Sequence, residues 1–213
     1  MQIPQTRKQM RLKKYDYSAD GYYFVTLCTN NRQALFGTIE NNQTVLNNAG
    51  EMIEFWWSEI SIHFSGIALD QYTIMPNHIH GIIIVGADRC VRPKLNRMQN
   101  AYDTPMIKNN RISNNESFND NDNTIYNDTF NNGRTHRSAP TISGIVQWFK
   151  TMTTNHYIKN VKNNNWLPFN KRLWQRSFHD HIIRNERSLN AIREYISHNP
   201  VNWEQDIDNL INL

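Results

Sequence analysis

Tyr72-Thr73-Ile74-Met75-Pro76-Asn77-His78-Ile79-His80-Gly81-Ile82-Ile83-Ile84 holds two apolar, β-branched runs broken only by Pro76-Asn77. Runs of this composition favour strands, and a two-residue interruption turns one strand back on the other. Working outward, the strands extend over Ile67 to Met75 and His78 to Val85, and Gly86 ends the second. Upstream, Tyr22 to Thr29 (Tyr-Tyr-Phe-Val-Thr-Leu-Cys-Thr) is aromatic and β-branched throughout, as expected of a strand covered on both faces. Between these strands, Ile53, Trp56, Trp57 and Ile60 recur at i, i+3, i+4 and i+7, the stripe of a helix starting near Asn48.

Downstream the pattern breaks and then resumes. Twelve of the thirty-seven residues from Asn96 to Asn132 are asparagine, with few apolar residues and no period. A disordered insertion is therefore expected at about 88–138. Order returns with Ile142, Ile145, Val146, Phe149 and Met152, which predict a helix from about Thr141 to Tyr157. Leu173 to Ile183 reads as a fourth strand. Glu186 to His198 reads as a last helix, with Leu189, Ile192 and Ile196 on one face and Pro200 forcing its end. The order β-α-β-β-α-β plus a helix predicts an α+β fold: a ferredoxin-like antiparallel sheet with two helices on one face. The opposite face and the C-terminal helix are left to build a site. One domain spanning 1–213, with a basic arm over 1–18, fits the length.

His78 and His80 are two apart on a strand, so both imidazoles project from one face while Ile79 turns into the other. Such a pair can hold one metal ion, although polar strand faces carry histidines for many reasons. On the last helix Tyr195 and Asn199 stand four apart and share a face. A phenol is a poor nucleophile near neutral pH, with an ordinary pKa of roughly 10, and needs a cation or base beside it. By geometry alone Tyr195 is equally a tyrosine that packs its ring on the sheet. Pro200 disfavours helical geometry at Asn199, which loosens the i+4 relation. Tyr157, on the earlier helix, is the competing nucleophile, with Val161 rather than an amide or acid one turn on.

The quoted run resembles the His-hydrophobic-His motif of transposases of the insertion-sequence-200-like class. Arg11-Leu12 with Tyr15-Asp16-Tyr17 and Tyr23-Phe24-Val25-Thr26 is similar to the opening of the REP-associated tyrosine transposases, the domesticated branch of that class. Leu173-Trp174-Gln175-Arg176, His181-Ile182-Ile183-Arg184 and Tyr195-Ile196-Ser197-His198-Asn199-Pro200 resemble its closing segments. The resemblance implies metal ligands at His78, His80 and Asn199 and a catalytic tyrosine at Tyr195. Mobile members carry Gln where Asn199 stands, and Asn-Pro is the form of the REP-associated branch. It implies cleavage and rejoining of single-stranded, hairpin-associated DNA through a 5′-phosphotyrosine link, with Mg²⁺ or Mn²⁺ as cofactor. Mobile members act as dimers and the REP-associated branch can be monomeric, so monomer and homodimer both remain open. A ferredoxin-like nucleic-acid-binding module that no longer cuts is the alternative, and a phosphodiesterase using water is a third.

Charge and composition agree with that class. The formal charge is +4 and the pI about 9.1, with basic residues gathered at Arg7, Lys8, Arg11, Lys13 and Lys14 and again around Arg176 and Arg184. These are the expected DNA contacts. His179 and His181 form a second same-face pair, expected as a polar strand end near the site. Of Trp148, Trp166 and Trp174, at least two are expected to be buried. Two cysteines, Cys28 and Cys90, make no disulfide framework, and no run reaches the length of a membrane span or a signal peptide. A cytoplasmic protein with no membrane association is expected. Deleting residues 96–132 should leave a folded domain, because the segment has too little apolar surface to offset its ordering entropy. Thermal melting checks this, and a large fall in midpoint would show that the segment packs on the core.

Overall fold

A computed structural model describes residues 18–87, 140–206 and 209; the basic arm, the Asn-rich insertion and Cys90 lie outside these residues. Strands β1 (Gly21–Cys28), β2 (Gly37–Glu40) and β3 (Gln43–Leu46) precede helix α1 (Asn48–His63). Strands β4 (Ile67–Met75) and β5 (His78–Val85) follow, then helix α2 (Ile142–Asn163), strand β6 (His179–Ile183) and helix α3 (Glu186–His198). The main sheet runs β4-β5-β1-β6, antiparallel throughout. This is the expected ferredoxin-like arrangement, with the hairpin β4–β5 on one side of β1 and β6 at the other edge.

The sheet is covered on both faces, and different helices cover each. Ile79, Gly81 and Ile83 share the face that α1 and α2 cover, where Trp57 lies against Phe149 with ring centroids 5.5 Å apart. A Cβ on Gly81 would stand 2.2 Å from Trp57 Cζ2, so the absence of a side chain there lets α1 rest directly on the strand. The opposite face carries His78, His80 and Ile82 from β5, and Tyr22, Phe24 and Thr26 from β1. Helix α3 lies there, burying Leu189 and Ile196 against Ile82 and Ile183, with Ile192 packed alongside. Arg193 clamps α3 to the sheet edge: its guanidinium donates Nε–H to Asp70 Oδ1 at 2.9 Å and Nη2–H to Oδ2. Asp70 sits in a register break of β4 between Leu69 and Tyr72. Burial raises its carboxyl pKa, but the hydrogen bonds and charge of Arg193 and the Gln71 amide outweigh this and hold it low.

Three expectations need correction. The fourth strand does not begin at Leu173: only His179–Ile183 pairs along β1, and before it a lone bridge joins Thr29 and Trp174. Lys150 of α2 explains the break, because its Nζ donates to the carbonyls of Gln175 at 2.8 Å and Ser177 at 3.2 Å and takes up ladder acceptors. Helix α2 runs six residues past Tyr157, to Asn163. The β2–β3 hairpin was not expected. Its strands are four residues long and half exposed, and its turn is made by Asn41 and Asn42 at φ 50° and 61°, the left-handed pair that suits a two-residue hairpin.

Gly81→Ala is expected to cost about 1–3 kcal/mol through overpacking against Trp57. The measurement is the thermal midpoint, and an unchanged value would mean that α1 slides away without loss.

Candidate metal centre

Two of the candidate ligands sit at the centre of the sheet. His78 is fully buried and His80 nearly so, at 0% and 3% exposure, with ring centroids 4.4 Å apart. A chain of hydrogen bonds settles the tautomer of His78. Asn77 Nδ2 donates to the Arg32 carbonyl at 3.1 Å, so its Oδ1 faces His78 Nδ1 at 2.8 Å. An amide oxygen only accepts, hence Nδ1 carries the proton and Nε2 keeps its lone pair. Among the described residues that buried Nε2 has no hydrogen-bond partner. His80 Nδ1 lies 2.8 Å from Thr26 Oγ1, and its Nε2 lies 3.4 Å from the Tyr195 hydroxyl.

Burial keeps both imidazoles neutral. It pushes His78 down to about 3, against a smaller upward pull from the Asn199 side chain and a further downward push from the Arg32 charge. His80 is also held well below its ordinary value, first by burial, then by His78, with Asp206 pulling it up. Neutral imidazoles with inward lone pairs are metal ligands without further change of protonation.

The remaining groups arrive from the C-terminal side. Asn199 is 2% exposed, and its Oδ1 is a second buried acceptor with no hydrogen-bond partner among the described residues. Pro200 does not unwind it: Asn199 has φ −58° and ψ −42°, so Tyr195 and Asn199 do lie one helical turn apart. The chain then turns through Trp203–Gln205 and sets Asp206 beside the histidines. One ligand atom from each of His78, His80 and Asp206 falls within 4.8 Å of the others. Trp203 covers the pair, its ring centroid 6.0 Å from that of His78. Two imidazole nitrogens, a carboxylate and an orphaned amide oxygen suit a divalent cation such as Mn²⁺ or Mg²⁺.

Tyr195 is 47% exposed, while its ring meets Phe24 edge-on at 6.1 Å and His80 at 5.3 Å. Its hydroxyl therefore stands between solvent and the histidines. Tyr157 is buried and donates to the Leu167 carbonyl at 2.8 Å, which places it in the core. Trp148 and Trp174 are buried as expected, and Trp166 is half-buried. His179 and His181 are exposed on the site face, opposite Thr26 and Phe24.

Not every candidate gathers here. Arg176 is exposed and lies three residues before the His179 end of β6. Arg184 follows the other end of β6, about 17 Å from His179 at strand rise. Arg7, Lys8, Arg11, Lys13 and Lys14 lie outside the described residues. Sequence reasoning passed over Asn77, Thr26 and Asp206. Asn77 had a signal, since it stands in the hairpin turn beside His78; Asp206, in a turn without periodicity, had none.

No family model matches the chain. An uncharacterized protein of Haemophilus influenzae is 33% identical over 203 residues, covering 94% of this chain and 91% of that protein. A solved REP-associated tyrosine transposase bound to a REP hairpin is similar at a TM-score of 0.49 and 15% identity, over 91% of this chain and 74% of that one. A Deinococcus radiodurans protein provisionally assigned as a transposase is similar at a TM-score of 0.40 and 12% identity, over 88% and 95%. The chemistry therefore rests on the residues of the site itself.

Mn²⁺ at about a hundred times its Kd is expected to raise the unfolding free energy by about 2.7 kcal/mol, and His78→Ala should abolish the rise. The metal-free protein should lose stability as pH falls below the ordinary histidine value of 6.5, because the unfolded chain then binds protons that buried His78 refuses down to about 3. Calorimetric melting across pH, with and without Mn²⁺, checks both; a stability flat from pH 7 to 4 would contradict the burial of neutral imidazoles.

Proposed function

We propose that this chain, which belongs to one family with the Haemophilus influenzae protein of 33% identity, is a transposase-type enzyme that cuts and rejoins single-stranded DNA, with Tyr195 as nucleophile. The carrying observation is that the hydroxyl of half-exposed Tyr195 lies 3.4 Å from Nε2 of a buried, neutral His80. The sequence resemblance to REP-associated tyrosine transposases supports the same reading.

His78, His80, Asn199 and Asp206 would hold a divalent cation, for which the orphaned His78 Nε2 and Asn199 Oδ1 are fitting donors. Such an ion supplies charge stabilisation to a phosphodiester and to a phenolate. The protein's part is placement. Leu189 and Ile196 anchor α3, and Arg193 pins it to Asp70, so Tyr195 keeps its hydroxyl at the rim of the site with little freedom to lose. Thr26 and Asn77 fix the two imidazole planes.

In the reaction the Tyr195 oxygen attacks phosphorus and the bond to the 3′ oxygen breaks. The phenolic proton leaves to solvent, and the departing oxygen takes a proton to become a free 3′-hydroxyl. The 5′-phosphotyrosine link keeps the energy of the broken bond, so attack by another strand's 3′-hydroxyl rejoins DNA with no nucleotide cofactor.

Incubation with single-stranded hairpin DNA and Mn²⁺ should give an adduct that survives denaturing electrophoresis, and Tyr195→Phe should still bind DNA yet form none. Binding with no adduct from the unaltered chain would support the non-cutting module; cleavage that persists in Tyr195→Phe would support a water nucleophile.

A further inference from the structure

Helix α2 presents Gln147, Lys150, Thr151 and Thr154 to the irregular segment from Arg172 to Phe178, and a groove of about 540 Å³ lies between them. That volume is in the range of sites for small molecules or single nucleotides, roughly 300–1,000 Å³. Its charge is one-sided. Lys150, Arg172 and Arg176 line it, and none of the described lining residues is acidic. Arg172 and Arg176 are exposed and, among the described residues, make no ion pair. Phe178, half-buried, adds an aromatic face.

The groove is built rather than incidental. The half-buried Lys150 fastens the segment by its bonds to the Gln175 and Ser177 carbonyls, and its Nζ stands 5.7 Å from the Phe178 ring centroid. Arg176 therefore projects from between two anchored carbonyls. On its other side the segment is stitched to the end of β1, with the Gln175 amide donating to the Cys28 carbonyl at 2.9 Å and the Asn30 amide to the Leu173 carbonyl at 2.8 Å. From there the chain enters β6, where His179 stands opposite Thr26, and Thr26 holds His80. The groove lies on the α2 side of the sheet, and the edge strand β6 that follows carries His179 and His181 exposed on the opposite face, with the metal centre, so a DNA strand leaving the site passes over them and round the sheet edge to reach the groove.

We propose that this groove takes the single strand of DNA flanking the cut phosphodiester, with phosphates against Arg172 and Arg176 and a base against Phe178. The assignment rests on the proposed function above. Cations beside an aromatic face are the chemistry of sequence-tolerant single-strand binding, in which phosphates give affinity and ring stacking holds the bases.

The test is fluorescence anisotropy of a hairpin oligonucleotide carrying a single-stranded oligo-dT flank, titrated with the full chain at several KCl concentrations. Each phosphate contact on a single strand contributes about 0.7 to the slope of log K against log salt. Arg172→Ala with Arg176→Ala should therefore flatten the slope by about 1.4. Phe178→Ala should weaken binding about tenfold with the slope unchanged. Should the double variant melt early, Arg176→Gln alone reads the same effect at about 0.7. An unchanged slope in a normally melting variant overturns the proposal, as does full competition by thymidine monophosphate at the same concentration. A flattened slope in a protein that forms no adduct keeps the groove and rejects the nuclease reading; an adduct with an unchanged slope does the reverse.

Discussion

Pro76 and Asn77 leave β4 two residues in which to reverse into β5, and the chain after β1 holds that turn from the other side. The Pro76 carbonyl accepts the amides of Leu35 and Phe36, the Asn77 carbonyl accepts that of Thr29, and the Asn77 side chain bonds the Arg32 carbonyl. Arg32 adopts φ 52° there, a left-handed conformation that costs a non-glycine residue on the order of 1 kcal/mol. The register of β5 against β1 follows from this clamp. A slip of one residue would turn both histidines toward Trp57 and bring Ile79 under α3.

The site joins two kinds of support. His78 and His80 belong to the middle of the sheet, where paired strands on either side fix their backbone. Tyr195 and Asn199 belong to a helix held, among the described residues, by a few apolar side chains and the Arg193–Asp70 ion pair. The stiffer half carries the groups that must stay neutral and buried. The more lightly held half carries the hydroxyl that, on the proposed reading, meets a large substrate.

What was legible in the sequence is what local periodicity encodes. The alternation of His78, Ile79 and His80 placed both imidazoles on one face, and the stripe Leu189, Ile192, Ile196 marked the helix that carries Tyr195. The missing parts depend on distant partners. Leu173 to Phe178 has strand-like composition, yet a lysine on α2 takes two of its carbonyls. Asn199 keeps helical angles before a proline because the following turn continues through it, with the Asn202 amide donating to the His198 and Asn199 carbonyls. Asp206 is brought to His78 by that same turn, which no repeat announces.

The order in which the chain is synthesised gives the last turn a further meaning. His78 and His80 are made early, but Asn199 and Asp206 more than a hundred residues later. During translation the sheet's first three strands can pair while the groups from α3 and the turn are still inside the ribosome. On the proposed reading, a growing chain has two histidines and no tyrosine to cut with. A product stopped before Tyr195 would then be unable to break DNA, and the competence to do so appears more than a hundred residues after the two histidines are made.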